Sequence, residues 1–177
     1  RKNIKKYNFN IFNNFNKIKE NKININCFNA GKETSKLNRI LKSFHKIKAN
    51  DFLITYGDGL ADVNLKKLFA NYFKDKKQKI YLTSCRKKSQ YGHIKIDNKN
   101  YIKTFDEKPI LQDPVNIGYY IFNKLIFNKY YNSKFELESD FLPKLIRSNI
   151  LKSYLHNGYF FSIDDKKDVL MAKKFFK

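Results

Sequence analysis

Along this chain the spacing between apolar side chains switches between two residues and three or four, and each switch marks an element. Over residues 1–22, Ile4, Tyr7, Phe9, Phe12, Phe15 and Ile18 recur at close to every third position among Lys and Asn, which predicts a basic amphipathic helix packed on protein. Residues 23–28 alternate in the strand manner and stop at the turn Asn29-Ala30-Gly31. A second strand is expected at 51–55, ending in Tyr56-Gly57-Asp58-Gly59. Leu65, Leu68, Phe69, Tyr72 and Phe73 then keep helical spacing over 64–74 behind a capping Asn64, and 79–84 reads as the next strand. Alternation over 92–97 and 100–105 around Asp97-Asn98-Lys99 predicts a hairpin, closed by Glu107-Lys108-Pro109. Beyond it come a strand at 115–122, a short helix at 124–131 and a helix at 137–148 that must accommodate Pro143. Strands at 153–155 and 159–163 precede a last helix, capped by Asp165 and running to Phe176.

Strand, helix, strand in that order predicts an α/β fold with a sheet at its centre. No repeat or Gly/Ser-rich linker interrupts the 177 residues, so one domain over 1–177 is expected. Composition supports a packed core, with 42% hydrophobic and 16% aromatic residues. The 37 Lys plus Arg against 16 Asp plus Glu, a net charge of +21, would ordinarily suggest a nucleic acid or an anionic membrane. Here the lysines come with abundant Asn, Ile, Phe and Tyr, all encoded by A- and T-rich codons. Compositional drift accounts for the whole set, so neither a specific nucleic acid nor a membrane is expected as partner. Cys27 and Cys85 form no Cys-x-x-Cys, which fits a reduced, cytoplasmic setting, and no apolar run is long enough to span a bilayer. The chain begins at Arg1 and its one methionine is Met171, so a start that is missing or removed is expected.

The sharpest local chemistry is Thr55-Tyr56-Gly57-Asp58-Gly59, directly after an apolar strand. A carboxylate at a strand's carboxyl end, between glycines that admit a bulky ligand, suits a divalent cation carrying phosphates; a plain tight turn is the alternative. Asp164 and Asp165 could add a second carboxylate or simply cap a helix. Glu107 and Lys108 set a hydroxyl acceptor beside a phosphate-binding ammonium, or mark a surface turn. His45, His93 and His156 have no neighbour in sequence that suggests a metal site or a triad, and read as solvated or packed.

Taken in order, these pieces resemble a known family. Phe52 to Asn64, with Thr55-Tyr56-Gly57-Asp58-Gly59 and Asp62-Val63, is similar to the corresponding run of glucose-1-phosphate cytidylyltransferases. Gln90-Tyr91-Gly92, Phe105-Asp106-Glu107-Lys108-Pro109, Val115-Asn116-Ile117-Gly118-Tyr119-Tyr120 and Gly158-Tyr159-Phe160-Phe161-Ser162-Ile163-Asp164 resemble that family's later motifs in the same order. Asn29 to Thr34, followed by Arg39, resembles its upstream segment, and Phe135 to Leu145 is also similar to heptose- and mannose-1-phosphate guanylyltransferases.

The resemblance to sugar-1-phosphate nucleotidyltransferases implies a Rossmann-like domain with a mixed, mostly parallel sheet flanked by helices, here without its first strand and glycine-rich loop. It implies transfer of a nucleotidyl group from a nucleoside triphosphate to a sugar 1-phosphate, with pyrophosphate leaving. Asp58 and Asp164 would hold Mg2+, Lys108 would meet the sugar phosphate, and Glu107, Asn116, Gly92 and Tyr119 would line the hexose. Gly57, Gly118, Thr34 and Arg39 complete the implied substrate-binding set. The family's triphosphate loop has no counterpart in these residues, so residues 1–177 alone are expected to be an inactive fragment, and a homo-oligomer is left open. Cytidylyl transfer from CTP to glucose 1-phosphate is the expected pair. Guanylyl or uridylyl transfer to mannose or heptose 1-phosphate, an inactive binding relative and a basic nucleic-acid binder are the rivals.

Overall fold

The computed structural model describes residues 29–75 and 79–175. The helix expected over 1–22, the strand at 23–28 with Cys27, and the end of the last helix at Phe176 lie outside the described residues. The chain divides into two compact units, Arg1–Lys48 and Ala49–Lys177. In the first, Ser35 caps helix α1 (Lys36–Ser43) by accepting from the Asn38 amide, and Leu37 is fully buried. The sequence reading assigned no element to these residues, although Ser35 is a capping residue in the right place.

In the second unit a four-stranded sheet forms from β1 (Asp51–Thr55), β3 (Ile80–Cys85), β6 (Val115–Asn123) and β7 (Leu151–His156), in the order β1-β6-β3-β7. β6 pairs antiparallel with β1 and with β3, and β3 pairs parallel with β7. The sheet is therefore mixed: three strands run one way and β6 alone runs against them. Strand β6 is buried without a break over residues 120–123, as expected of a strand covered on both faces.

Successive side chains on β6 alternate between two helical layers. Ile121 meets Leu68 and Tyr72 of α2 (Leu65–Lys74), together with Tyr81, Leu53 and Tyr154 on neighbouring strands. Phe122 points the other way, with ring centroids 5.9 Å from Phe127 of α3 (Lys124–Tyr130) and 6.2 Å from Phe141. Asn64 caps α2 at the Lys67 amide, and Asn123 caps α3 at the Leu125 and Ile126 amides. The helix expected over 137–148 is two pieces, a π-helical turn Leu137–Phe141 and then α4 (Leu142–Arg147) with Pro143 in its first turn. Proline has no N–H to donate and is tolerated where a helix starts afresh.

Two small ribbons stand at one end of this sheet. β2 (Gly59–Ala61) pairs antiparallel with β8 (Phe160–Ser162), and β4 (His93–Ile96) with β5 (Ile102–Asp106). β2 was not expected, because glycines on both sides of Asp58 read as a turn. The closing helix α5 (Lys166–Phe175) is capped as expected, with Asp165 Oδ1 accepting from the Asp168 amide at 2.9 Å. Among the described residues no helix is long and apolar enough to cross a membrane.

Candidate functional site

β1, β3 and β7 all leave the sheet at the end where β6 enters it. That end, outside the carboxyl ends of parallel strands, is where open α/β sheets place their ligands. Past Thr55 the Tyr56 amide still donates to the Gly118 carbonyl at 3.1 Å. Gly118 sits at φ +77°, and a Cβ there would lie 2.7 Å from the Tyr56 ring, so glycine alone lets the two strands meet in this way. The chain then turns through Gly57 and Asp58, both exposed, with open space where Gly57 would carry a side chain.

The pairing that continues the β2–β8 ribbon decides what lies beside Asp58. The Ile163 amide donates to the Asp58 carbonyl at 2.8 Å, so the exposed Asp164 is the residue next to Asp58's cross-strand partner, although the two aspartates are 106 residues apart in sequence. Among the described residues neither carboxylate makes a hydrogen bond or ion pair, and no group of three or more His, Cys, Asp or Glu could hold a metal ion. Two free carboxylates fit Mg2+, which keeps several waters and takes its remaining ligands from substrate phosphates. Tyr119, whose hydroxyl donates to the Gly59 carbonyl at 3.4 Å, belongs to the same cluster.

A chain of polar contacts backs this turn. The exposed Asn116 donates from Nδ2 to the Tyr120 hydroxyl at 2.5 Å and accepts the Gly118 amide at 3.0 Å. The Tyr120 and Tyr56 hydroxyls are 3.1 Å apart, and Tyr56 donates in turn to Glu138 on the π-helical turn. Burial first, and then the bond to Glu138, pushes the Tyr56 hydroxyl far above its ordinary value, so it remains a donor throughout the working pH range.

A second group sits on the β4–β5 hairpin. A Cβ on Gly92 would come within 3.1 Å of Glu107 Oε2, so these two expected neighbours do meet. Lys108, in the left-handed region at φ +48°, holds its ammonium 3.6 Å from Glu107. With both side chains about 60% exposed, that pair contributes at most about 1 kcal/mol and leaves Lys108 available to a ligand. The Ser89 amide on the Pro109 carbonyl, 2.8 Å, anchors the hairpin exit. An open cleft of about 700 Å3 lies beside it, lined by His93, Asp106, Pro109, Gln112 and Val115.

Thr34 and Arg39 belong to the Arg1–Lys48 unit, where they tie their own loop together. Arg39 donates to the Thr34 carbonyl at 2.7 Å and to the Lys32 carbonyl at 3.0 Å. The sequence reading passed over Tyr56, Tyr120, Glu138 and Asp62 as single residues. His156, expected to be solvated or packed, is packed: it is buried and lies 2.9 Å from Asp62, a partner that its sequence neighbours do not reveal. Tyr56 and Asp62 stand inside the quoted motif run, so a signal was present.

Comparison with known proteins finds that the family model described as "Nucleotidyl transferase" matches residues 3–169. The chain belongs to the nucleotidyl transferase family. Among nucleotidyl transferases it is 33% identical over 153 residues to the Probable glucose-1-phosphate cytidylyltransferase of Bacillus subtilis, covering 85% of this chain and 59% of that protein. It is 30% identical over 138 residues to the D-glycero-alpha-D-manno-heptose 1-phosphate guanylyltransferase of Aneurinibacillus thermoaerophilus, covering 76% and 60%. The crystal structure of HddC from Yersinia pseudotuberculosis is similar at a TM-score of 0.59 and 25% identity, over 81% of this chain and 63% of that one. The chain thus spans about 60% of the length of these nucleotidyl transferases.

Proposed function

We propose that the whole protein carrying this chain transfers a nucleotidyl group from a nucleoside triphosphate to a sugar 1-phosphate, releasing pyrophosphate, with Asp58 and Asp164 as ligands of Mg2+. The observation that supports this reading most is the backbone bond from Ile163 to Asp58, which brings the backbone segments carrying two otherwise unengaged carboxylates together at the ligand-binding end of the sheet. When bound, the cation would neutralise and orient the reacting phosphates. Lys108, on its strained hairpin exit, would hold the sugar phosphate, and Glu107 with Gly92 would border the hexose. Gly57 would let the nucleotide approach the backbone. Tyr119 would stiffen the turn from beneath, while Asn116 and Gly118 would shape the sugar side.

For the substrate pair we propose CTP and glucose 1-phosphate, on the likeness to the Bacillus relative; the heptose guanylyltransferase relative supports GTP with heptose 1-phosphate as the second reading. Asp58→Asn in the full-length protein keeps the side chain's shape but removes a negative ligand. Pyrophosphate release at saturating Mg2+ is expected to fall at least about a hundredfold, or about 2.7 kcal/mol of transition-state stabilisation, with the circular dichroism spectrum unchanged. Turnover within a few-fold of wild type would overturn the metal role, and comparing CTP, GTP and UTP with each sugar phosphate separates the two pairs.

A further inference from the structure

Asp58 and Asp164 both ride on the β2–β8 ribbon, one just before β2 and the other two residues beyond β8. Three residue pairs make the ribbon: Gly59 with Ser162, Leu60 with Phe161 and Ala61 with Phe160. An isolated two-stranded ribbon of this length is marginal in water, so its register must be held from outside. At the end nearest the carboxylates, β1 and Gly118 hold the strand. At the other end stands a hydrogen-bonded aspartate–histidine pair outside the set assigned to substrates.

Asp62 follows β2, and its Oδ1 accepts the Tyr159 amide at 2.6 Å, just before β8. The same oxygen lies 2.9 Å from Nε2 of His156, the last residue of β7 and itself 7% exposed. Nε2 is also 3.2 Å from the Tyr159 carbonyl. Gly158 permits this closeness, since a Cβ there would run into Asp62 and lie 2.6 Å from His156 Cε1. One carboxylate oxygen therefore fastens both strands of the ribbon to the end of β7, the outer strand beside β3 in the described sheet.

We propose that the Asp62–His156 pair is a positioning clamp that fixes the ribbon register and so holds Asp58 and Asp164 in place for a divalent cation. This rests on the cation reading above. Neither residue touches substrate. Loss of the clamp lets the ribbon pivot about residues 157–159, which weakens cation binding while leaving the sugar-phosphate contacts on the hairpin alone.

The test uses the full-length protein and Mn2+ as probe, followed by electron paramagnetic resonance. Asp62→Ala and His156→Ala are each expected to raise the Mn2+ dissociation constant about tenfold, and the double variant no further, because the two act as one unit. Asp62→Asn and His156→Gln keep an acceptor and a donor and should stay within about threefold of wild type on the same scale. KM for the sugar phosphate should stay unchanged throughout. Where an alanine variant does not fold, the wild-type protein gives the reading by reciprocity: Mg2+ should slow hydrogen exchange of the Tyr159 and Ile163 amides. Folded clamp variants with wild-type Mn2+ affinity, or Tyr159 exchange indifferent to Mg2+, would overturn the clamp. Unchanged Mn2+ binding in Asp58→Asn would instead overturn the cation reading beneath it.

Discussion

Gly118 shows how much can depend on a missing side chain. Its φ of +77° costs an L-residue about 1–2 kcal/mol, and a methyl group there would also displace the Tyr56 ring. Gly118→Ala is therefore expected to lower stability by about 1–3 kcal/mol in urea unfolding and to reduce turnover by shifting the strand end that carries Asp58. A midpoint equal to wild type would mean that the turn tolerates the methyl. Gly118 was legible in sequence because it sits inside a motif. Glu138 and His156 were not, because the partners that give them meaning, Tyr56 and Asp62, are 82 and 94 residues away. Residue type cannot announce a contact that only the fold creates.

Most elements with a local signal were legible in the sequence, α1 behind its Ser35 cap being the exception, whereas β2, whose cause is distant, was not. Helix α2 begins at the expected Asn64 cap, and the β4–β5 hairpin turns at the expected Asp97-Asn98-Lys99. By contrast, β2 exists only because β8, about a hundred residues later, offers it a partner. The hairpin also has an acid-sensitive hinge. The Lys103 ammonium, followed by the Tyr101 and Lys99 amides, holds the Asp97 carboxyl below its usual range. Because the folded value is the lower one, this stabilisation is present above the unfolded carboxylate value of about 3.9 and is lost as pH falls through the folded one. Amide protection at Lys99 and Tyr101 should therefore fall on acidification below about pH 4, and Asp97→Asn should show weaker protection at neutral pH and no such step. A wild-type hairpin whose protection ignores pH in that range would contradict this account.

For the molecule as a whole, the α/β class with a central sheet followed from hydrophobic spacing and the mixed sheet flanked by helices from the family resemblance, while the place of β6 as the reversed strand did not follow from spacing, because periodicity carries no strand direction. The net charge of +21 is also a whole-molecule property. If it reflects compositional drift, duplex DNA should bind weakly at low salt and release by about 0.15 M, whereas sub-micromolar, sequence-selective binding at that salt would give the charge a purpose. The place of β6 between β1 and β3 has a consequence for biosynthesis. As the polypeptide emerges from the ribosome, β1 and β3 are made first, and among the described residues the strand that joins them, β6, follows only with residues 115–123. Until then the edges of β1 and β3 that β6 will cover are exposed to other nascent chains, which makes the interval before β6 appears a period when chaperones matter for this protein.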